Sequence, residues 1–222
     1  MAACESRAGP ASQRIRLKVR SSRFLLSAGR PEDVPELRLP RVAFAGRSNV
    51  GKSSLINRLT GSRQLARISR TPGRTRQVNY FLVDERLVFV DLPGYGYARV
   101  PSSMRRSWGS LSEAALLKSG GVVLTVLLLD GRHSPSELDH LMVGWLTEKG
   151  LEWIPVLTKI DKLNLSERAK PLERAAQLKG SRRGLATSAR TGEGIAQLWK
   201  DIDAACRPHQ QGDSPNRLRA AE

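Results

Sequence analysis

One stretch of eight residues constrains this chain more than any other. Gly46 to Ser53 reads Gly-Arg-Ser-Asn-Val-Gly-Lys-Ser and matches the pattern G-x-x-x-x-G-K-[S/T]. It follows the short apolar run Arg41–Ala45 and precedes a helical pattern over Gly51–Leu59. In this context glycines let the backbone approach phosphates closely, and amides at the helix start point toward them. The motif therefore predicts a nucleotide phosphate site formed by Gly46, Arg47, Ser48, Asn49, Val50, Gly51, Lys52 and Ser53.

Specific roles follow for residues in and near this motif. The Lys52 ammonium should span the β- and γ-phosphates, and the Ser53 hydroxyl should bind Mg²⁺. Asp91-Leu92-Pro93-Gly94 ends the apolar run Leu87–Leu92, where an aspartate can hold Mg²⁺ through water and a glycine amide can reach the γ-phosphate. The loop Thr71–Arg76, rich in Pro, Gly and Arg, is predicted to be mobile, and a threonine in it should complete the Mg²⁺ shell when the γ-phosphate is present.

Two later segments indicate which base is bound. Thr158-Lys159-Ile160-Asp161 follows the run Trp153–Leu157, and a carboxylate there accepts from both N1–H and the 2-amino group of guanine. Adenine lacks this pair of donors, so Asp161 favours GTP, while the Lys159 stem can cover the base. A backbone amide in Thr187-Ser188-Ala189 can reach the guanine O6. A P-loop ATPase or small-molecule kinase is the weaker alternative, because it has no use for Asp161.

Strand-like and helical patterns alternate along the chain. Strands are predicted at Arg41–Ala45, Val78–Val83, Leu87–Leu92, Val122–Asp130, Trp153–Thr158 and Gly184–Thr187. Helices are predicted at Gly51–Leu59, Met104–Lys118, Ser134–Lys149, Leu165–Leu178 and Gly194–Ala205. The alternation predicts an α/β fold with a doubly wound, mostly parallel sheet flanked by helices, and the short link Asp84-Glu85-Arg86 adds one antiparallel hairpin strand. The phosphate loop, Asp91–Gly94, Thr158–Asp161 and Thr187–Ala189 each come directly after a strand, where such sheets bind ligands.

Composition excludes several classes of protein. The two cysteines, Cys4 and Cys206, are too few for a disulfide framework or a cysteine-rich zinc site, and the three histidines lack metal-ligand spacing. The N-terminus has no apolar signal sequence, and the longest apolar run is far shorter than a membrane span. We expect a cytoplasmic monomer without stable membrane association. Its expected parts are a basic flexible arm over 1–22, one domain over 23–206 and a disordered tail over 207–222.

The net charge of +16, from 37 basic and 21 acidic residues, is unevenly placed. Residues 41–110 carry 13 basic and 3 acidic groups, net +10, while the 112 residues after them carry only +2. Arginine outnumbers lysine 28 to 9, and arginine can form paired hydrogen bonds to a phosphate and can also stack on bases. Solubility charge has no reason to concentrate in the part of the chain that holds the phosphate loop. The pattern favours an RNA partner bound next to the nucleotide.

These motifs resemble those of the P-loop GTPases in the TrmE-Era-EngA-EngB group, and more closely those of the EngB family. The strings that carry the resemblance are Val42–Ala45, Ser54–Asn57, Thr71–Thr75, Asn79–Phe81, Asp91–Ala98 and Asp130–His133. Asp91–Ala98, which reads Asp-Leu-Pro-Gly-Tyr-Gly-Tyr-Ala, is the most specific of them. The match runs from about Phe24 to Cys206 and leaves out both ends.

The resemblance implies a single domain that binds GTP with Mg²⁺, hydrolyses GTP slowly and acts in assembly of the large ribosomal subunit in the bacterial cytoplasm. The family is also linked to normal cell division and septation. Ser53 and Thr75 match the family's magnesium ligands. Beyond the phosphate loop, its GTP-contacting residues correspond to Gly73, Arg74, Thr75, Arg76, Gln77, Asp91, Leu92, Pro93, Gly94, Thr158, Lys159, Ile160 and Asp161.

Two residues bear on the hydrolysis step. Tyr95 stands where Ras-like enzymes place a glutamine that orients the attacking water, so intrinsic hydrolysis should be slow. Asn49 resembles the P-loop asparagine that binds K⁺ in MnmE-like GTPases, and K⁺ there would add to the electrostatic catalysis assigned to Lys52. Alternatively, Asn49 bonds only to backbone, and Arg74 or Arg76 is the additional cation.

Two classes of function remain open from the sequence. The first is a GTP-switched assembly factor that contacts the large ribosomal subunit or its rRNA through the basic segment 58–106, in which aromatic residues are interleaved with arginines. The alternative is a GTP-dependent binding module for a division or membrane partner, with no direct ribosomal role. Salt separates them, because neutralisation of RNA phosphates predicts a steep loss of binding with rising salt.

Overall fold

The computed structural model describes residues 19–66, 77–96, 102–118, 121–178, 180 and 184–210. The strands found there are β1 (Ser22–Ala28), β2 (Arg41–Gly46), β3 (Val78–Val83), β4 (Leu87–Asp91), β5 (Leu124–Asp130), β6 (Trp153–Thr158) and β7 (Leu185–Ala186). The helices found there are α1 (Lys52–Thr60), α2 (Ser102–Leu117), α3 (Glu137–Glu148), α4 (Ala169–Ala176) and α5 (Ile195–Gln210).

The strands of the described residues form one sheet in the order β1-β3-β4-β2-β5-β6-β7. The pairs from β4 through β2, β5 and β6 to β7 are parallel, whereas β3 is antiparallel to both of its neighbours. The predicted mostly parallel sheet with one antiparallel hairpin strand is therefore confirmed. The hairpin closes through Asp84 and Glu85, which both have positive φ, as a turn matching the strand twist requires.

Helices cover both faces of the sheet, as the doubly wound prediction requires. Alternate residues of β2 point to opposite faces, so Val42 and Phe44 pack with the apolar side chains of α1 and α5, among them the fully buried Trp199. Ala43 and Ala45 pack on the other face with buried side chains of α2, α3 and α4. Both faces are thus buried, and the ends of the parallel strands are left to carry polar residues.

The sequence pattern did not predict the strand β1. Ser22–Ala28 lies at one edge of the sheet and is half exposed, so its pattern does not alternate cleanly between apolar and polar residues. The backbone amides of Arg20 and Ser21 both donate to the Asp84 carboxylate, at 2.7 and 3.0 Å. The last residues of the predicted flexible arm are therefore attached to the β3–β4 turn, while residues 1–18 lie outside the described residues.

Three helix predictions need correction. The helix predicted from Ser134 begins at Glu137, because Ser136 and not Ser134 forms the N-cap, in a capping box with Asp139. The helix predicted over Leu165–Leu178 is interrupted after a short turn at Leu165–Glu167, and α4 begins at Ala169. Pro171 therefore lies in the first turn of α4, where an amide N–H would have no helical acceptor, so the proline costs no hydrogen bond. The last helix continues to Gln210, four residues into the predicted tail 207–222. No helix of the described ranges is long and apolar enough to cross a membrane.

Candidate nucleotide-binding site

The predicted site residues meet at one edge of the sheet. Because β4, β2, β5, β6 and β7 are parallel neighbours, their carboxyl ends lie side by side. Four of these strands end at or just before a segment singled out in the sequence: β2 ends at Gly46, β4 at Asp91, β6 at Thr158, and β7 just before Thr187. The fifth strand, β5, ends in Asp130, to which the sequence reading assigned no role. This edge is where such sheets bind ligands.

The phosphate loop leaves a set of amides for a ligand. Asn49 and Gly51 have φ of 64° and 108°, which turns the loop back toward the start of α1. Among the described residues, the amides of Asn49, Gly51, Lys52 and Ser53 donate to no acceptor. A β-carbon added at Gly46 would lie 2.9 Å from Val50 Cγ1 and 3.1 Å from the Leu128 carbonyl oxygen, so the loop packs tightly on β5. A helix start with free amides in a tight loop fits a chain of phosphates.

Lys52 and Asp91 are paired with each other at the centre of the site. The Lys52 Nζ donates to Asp91 Oδ1, and the two side chains are only 10% and 5% exposed. The sequence predicted a phosphate contact for the lysine and a water-mediated Mg²⁺ contact for the aspartate. The two predictions are compatible with the pairing, because Mg²⁺ and phosphate would supply each side chain with a partner of opposite charge.

The turn after β4 packs directly on the phosphate loop. Ser48 N–H donates to the Tyr95 carbonyl at 3.0 Å, and Tyr95 N–H donates to the Gly46 carbonyl at 3.2 Å. A β-carbon on Gly94 would lie 3.1 Å from the Ser48 Cα, so a larger residue would push the turn away from the phosphate loop. Leu92 and Pro93 are buried beneath the turn. The backbone of Gly94 is thereby held next to the loop that would bind the phosphates.

Thr158 and Lys159 connect the segment predicted to recognise the base with the phosphate loop. The Thr158 hydroxyl donates to the Val50 carbonyl at 2.6 Å, and the Lys159 Nζ donates to the Asn49 carbonyl at 2.6 Å and to Asp130 at 2.9 Å. Burial opposes ionisation of Asp130, but hydrogen bonds from Arg132 and Lys159 outweigh it, and the pKa of Asp130 lies well below its ordinary value. Asp130 therefore stays charged and fixes the Lys159 ammonium.

Asp161 lies against the loop that follows β7. Its Oδ1 accepts from the Ser188 hydroxyl at 2.7 Å, and the exposed Arg190 is 4.0 Å from its Oδ2. The Ile160 amide donates to the Thr187 carbonyl at 3.4 Å, and among the described residues the Ala189 amide has no acceptor. The structure thus brings together the two segments predicted to recognise guanine, with a carboxylate and a free amide in one place.

Some predicted site residues lie outside the described residues, and the sequence patterns did not indicate two residues that the structure places at the site. Gly73, Arg74, Thr75 and Arg76 lie outside the described residues. Gln77 is exposed just before β3, and the Asn49 side chain is exposed and bonds to none of the described residues. Sequence reasoning missed Asp130, which carries the same signal as the others, a polar residue at the end of a parallel strand. It also missed Arg190, which lies near Asp161 because of the way the loop after β7 is placed.

The chain has many relatives among known proteins. A family model described as a 50S ribosome-binding GTPase matches residues 41–159. The "Probable GTP-binding protein EngB" of Pelobacter propionicus is 45% identical over 188 residues, covering 84% of this chain and 94% of the relative. The protein of the same name from Solibacter usitatus is 46% identical over 179 residues, covering 81% and 93%.

Among solved structures, the crystal structure of a probable GTP-binding protein EngB superimposes with a TM-score of 0.63 at 25% identity, over 76% of this chain and 99% of that one. Fold, motif positions and sequence similarity agree over most of the chain. The chain belongs to the EngB family of GTP-binding proteins, within the ribosome-binding GTPases.

Proposed function

We propose that this protein is a cytoplasmic, GTP-switched assembly factor of the large ribosomal subunit, with a role in normal cell division. The observation that supports it most is exposed positive charge on the phosphate loop and on the helix and loop that follow it. Arg47 in the phosphate loop, and Arg58 and Arg63 of α1 and the loop after it, are exposed, and within the described residues none of them forms an ion pair with a carboxylate. The family description, a ribosome-binding GTPase, supports the same partner.

The proposed ligand is GTP with Mg²⁺. The free amides of the phosphate loop, the glycines in close contact and a buried lysine–aspartate pair fit a triphosphate with its cation. Ser53 and Thr75 would hold Mg²⁺, which would neutralise phosphate charge. Lys52 would bind the β- and γ-phosphates, Gly94 would offer its amide to the γ-phosphate, and Asp161 would select guanine.

Hydrolysis is proposed to be slow because of where Tyr95 points. Its ring is buried and its hydroxyl donates to Asp139 of α3 at 2.8 Å. A side chain committed in this direction does not orient a water as a glutamine amide does. The chain's own contribution to the chemistry is then the positive charge of Lys52 and the amides that surround the phosphates.

Ribosome association is expected to depend on both nucleotide and salt. The protein should sediment with 50S subunits in the presence of a non-hydrolysable GTP analogue and much less with GDP, because the exposed Arg47 belongs to the phosphate loop itself. Raising salt from 50 to 200 mM should reduce binding at least about tenfold, as release of counterions from RNA requires. Association that ignores both nucleotide and salt would favour the alternative, a binding module for a division or membrane partner.

K⁺ is proposed to stimulate hydrolysis through Asn49. The asparagine side chain is exposed beside the free amides of the loop, so it is available to a cation between the β- and γ-phosphates. We expect turnover in KCl to exceed turnover in matched NaCl by about tenfold, and Asn49→Ala to remove most of that difference. Equal single-turnover rates in the two salts would reject the K⁺ role and leave the GTPase assignment intact.

A further inference from the structure

Tyr95 connects the phosphate loop with the start of α3. Its backbone exchanges hydrogen bonds with the phosphate loop, with Ser48 as donor and Gly46 as acceptor. Its side chain turns the other way, and the hydroxyl donates to Asp139 Oδ1 at 2.8 Å. Only 7% of Tyr95 and 3% of Asp139 are exposed, so this hydrogen bond is shielded from water.

Asp139 is itself fixed from the helix side. Its Oδ2 accepts from the backbone amide and the hydroxyl of Ser136, both at 2.7 Å, in the capping box that begins α3. Burial, and then the nearby Asp139 carboxylate, raise the pKa of Tyr95 far above its ordinary value, so the hydroxyl keeps its proton and remains the donor. The start of α3 therefore holds the Tyr95 side chain in one position.

A second contact lies one residue further along. A β-carbon on Gly96 would be 3.2 Å from Leu138 Cδ1 of α3 and 3.4 Å from Nε of Arg47 in the phosphate loop. The backbone at Gly96 thus fits between the helix and the loop. The segment from Gly94 to Gly96 is held from both sides, by the phosphate loop and by α3.

We infer that Tyr95 is a positioning residue: by its hydrogen bond to Asp139 it holds Gly94 against the phosphate loop and so sets the affinity for the γ-phosphate. The inference rests on the proposed function, since it assumes that GTP and GDP are the ligands. GDP has no γ-phosphate and gains nothing from the Gly94 amide, so the bond should matter for GTP and very little for GDP. Tyr95 does not touch the reacting atoms in this role.

The test compares Tyr95→Phe with two controls in the full chain. Tyr80→Phe removes the same atom from another buried tyrosine, whose hydroxyl has no hydrogen-bond partner among the residues that the structure describes. His140→Ala changes an exposed side chain of α3 beside Asp139 and leaves the Tyr95–Asp139 bond in place. Dissociation constants are measured for fluorescent GDP and for a fluorescent non-hydrolysable GTP analogue, together with KM and kcat for GTP.

In Tyr95→Phe the affinity for the GTP analogue should fall about fivefold or more while GDP affinity stays within about twofold. KM should rise with kcat little changed, because an interaction shared by ground and transition states is lost. Both controls should keep the ratio of the two affinities. Equal losses for both nucleotides, or no loss, would overturn the inference, whereas a wild-type chain that binds neither nucleotide would instead refute the proposed function.

A second measurement needs no variant. In the wild-type chain, hydrogen exchange of the amides of residues 139–141 should be slower with the GTP analogue than with GDP, because a fixed Gly94 tightens Tyr95 on the start of α3. Identical exchange in the two states would overturn the inference even if Tyr95→Phe did not fold.

Discussion

Asp161→Asn is expected to lower the affinity for GTP at least about 100-fold and to create affinity for XTP. A carboxylate only accepts hydrogen bonds, and guanine presents two donors, N1–H and the 2-amino group. An asparagine amide would place a donor against one of these donors, in a position where the side chain is only 10% exposed. Xanthine carries a carbonyl at position 2, so the amide N–H finds an acceptor there.

The measurement is titration of the variant with GTP, XTP and ATP. Asp201→Asn is the matched control, since it makes the same chemical change on α5, at a side chain that accepts from Gln197 one helical turn away. The control should bind GTP like the wild type. Undiminished GTP affinity in a folded Asp161→Asn variant would reject guanine recognition by Asp161.

The edge of the sheet that carries the candidate site could be predicted because its signals are local. Each of these motifs directly follows an apolar run, and the ends of parallel strands lie along one edge, so Gly46, Asp91, Thr158 and Thr187 had to lie along that edge. Which of them are neighbours depends on the strand order, which the sequence did not predict. The same reasoning would have found Asp130, because the longest of the predicted strands ends in that carboxylate.

The hydrogen bonds that connect the segments of the site could not be predicted, because they depend on packing between segments far apart in the chain. Nothing in the local sequence of Tyr95 indicates that its hydroxyl reaches Asp139, 44 residues later. The pairing of Lys159 with the Asn49 carbonyl spans 110 residues. For the same reason the edge strand β1 was missed, since its pairing with β3 and not its own pattern makes it a strand.

Gly194→Ala is expected to destabilise the fold by about 3 kcal/mol or more, the sum of a left-handed conformation and overpacking. Gly194 has φ of +75° at the start of α5, and a β-carbon there would lie 2.1 Å from the Ala186 carbonyl oxygen and 3.0 Å from Thr187 Cγ2. The first of these atoms is backbone of β7, which a rotamer change cannot relieve. Since α5 packs under the sheet, the strand or the helix start must move.

Gly150→Ala separates the two causes. Gly150 has φ of +65° and nothing within 4 Å of the added β-carbon, so only the backbone strain of about 1–2 kcal/mol applies. Thermal unfolding should therefore show a drop of roughly 10 °C for Gly194→Ala and a third to a half of that for Gly150→Ala. The Gly194 variant should also lose affinity for GDP, because the displaced carbonyl directly precedes the loop Thr187–Ala189 that faces Asp161. Equal drops in the two variants would mean that the contact with β7 relaxes at little cost, and that the start of α5 does not fix the guanine loop.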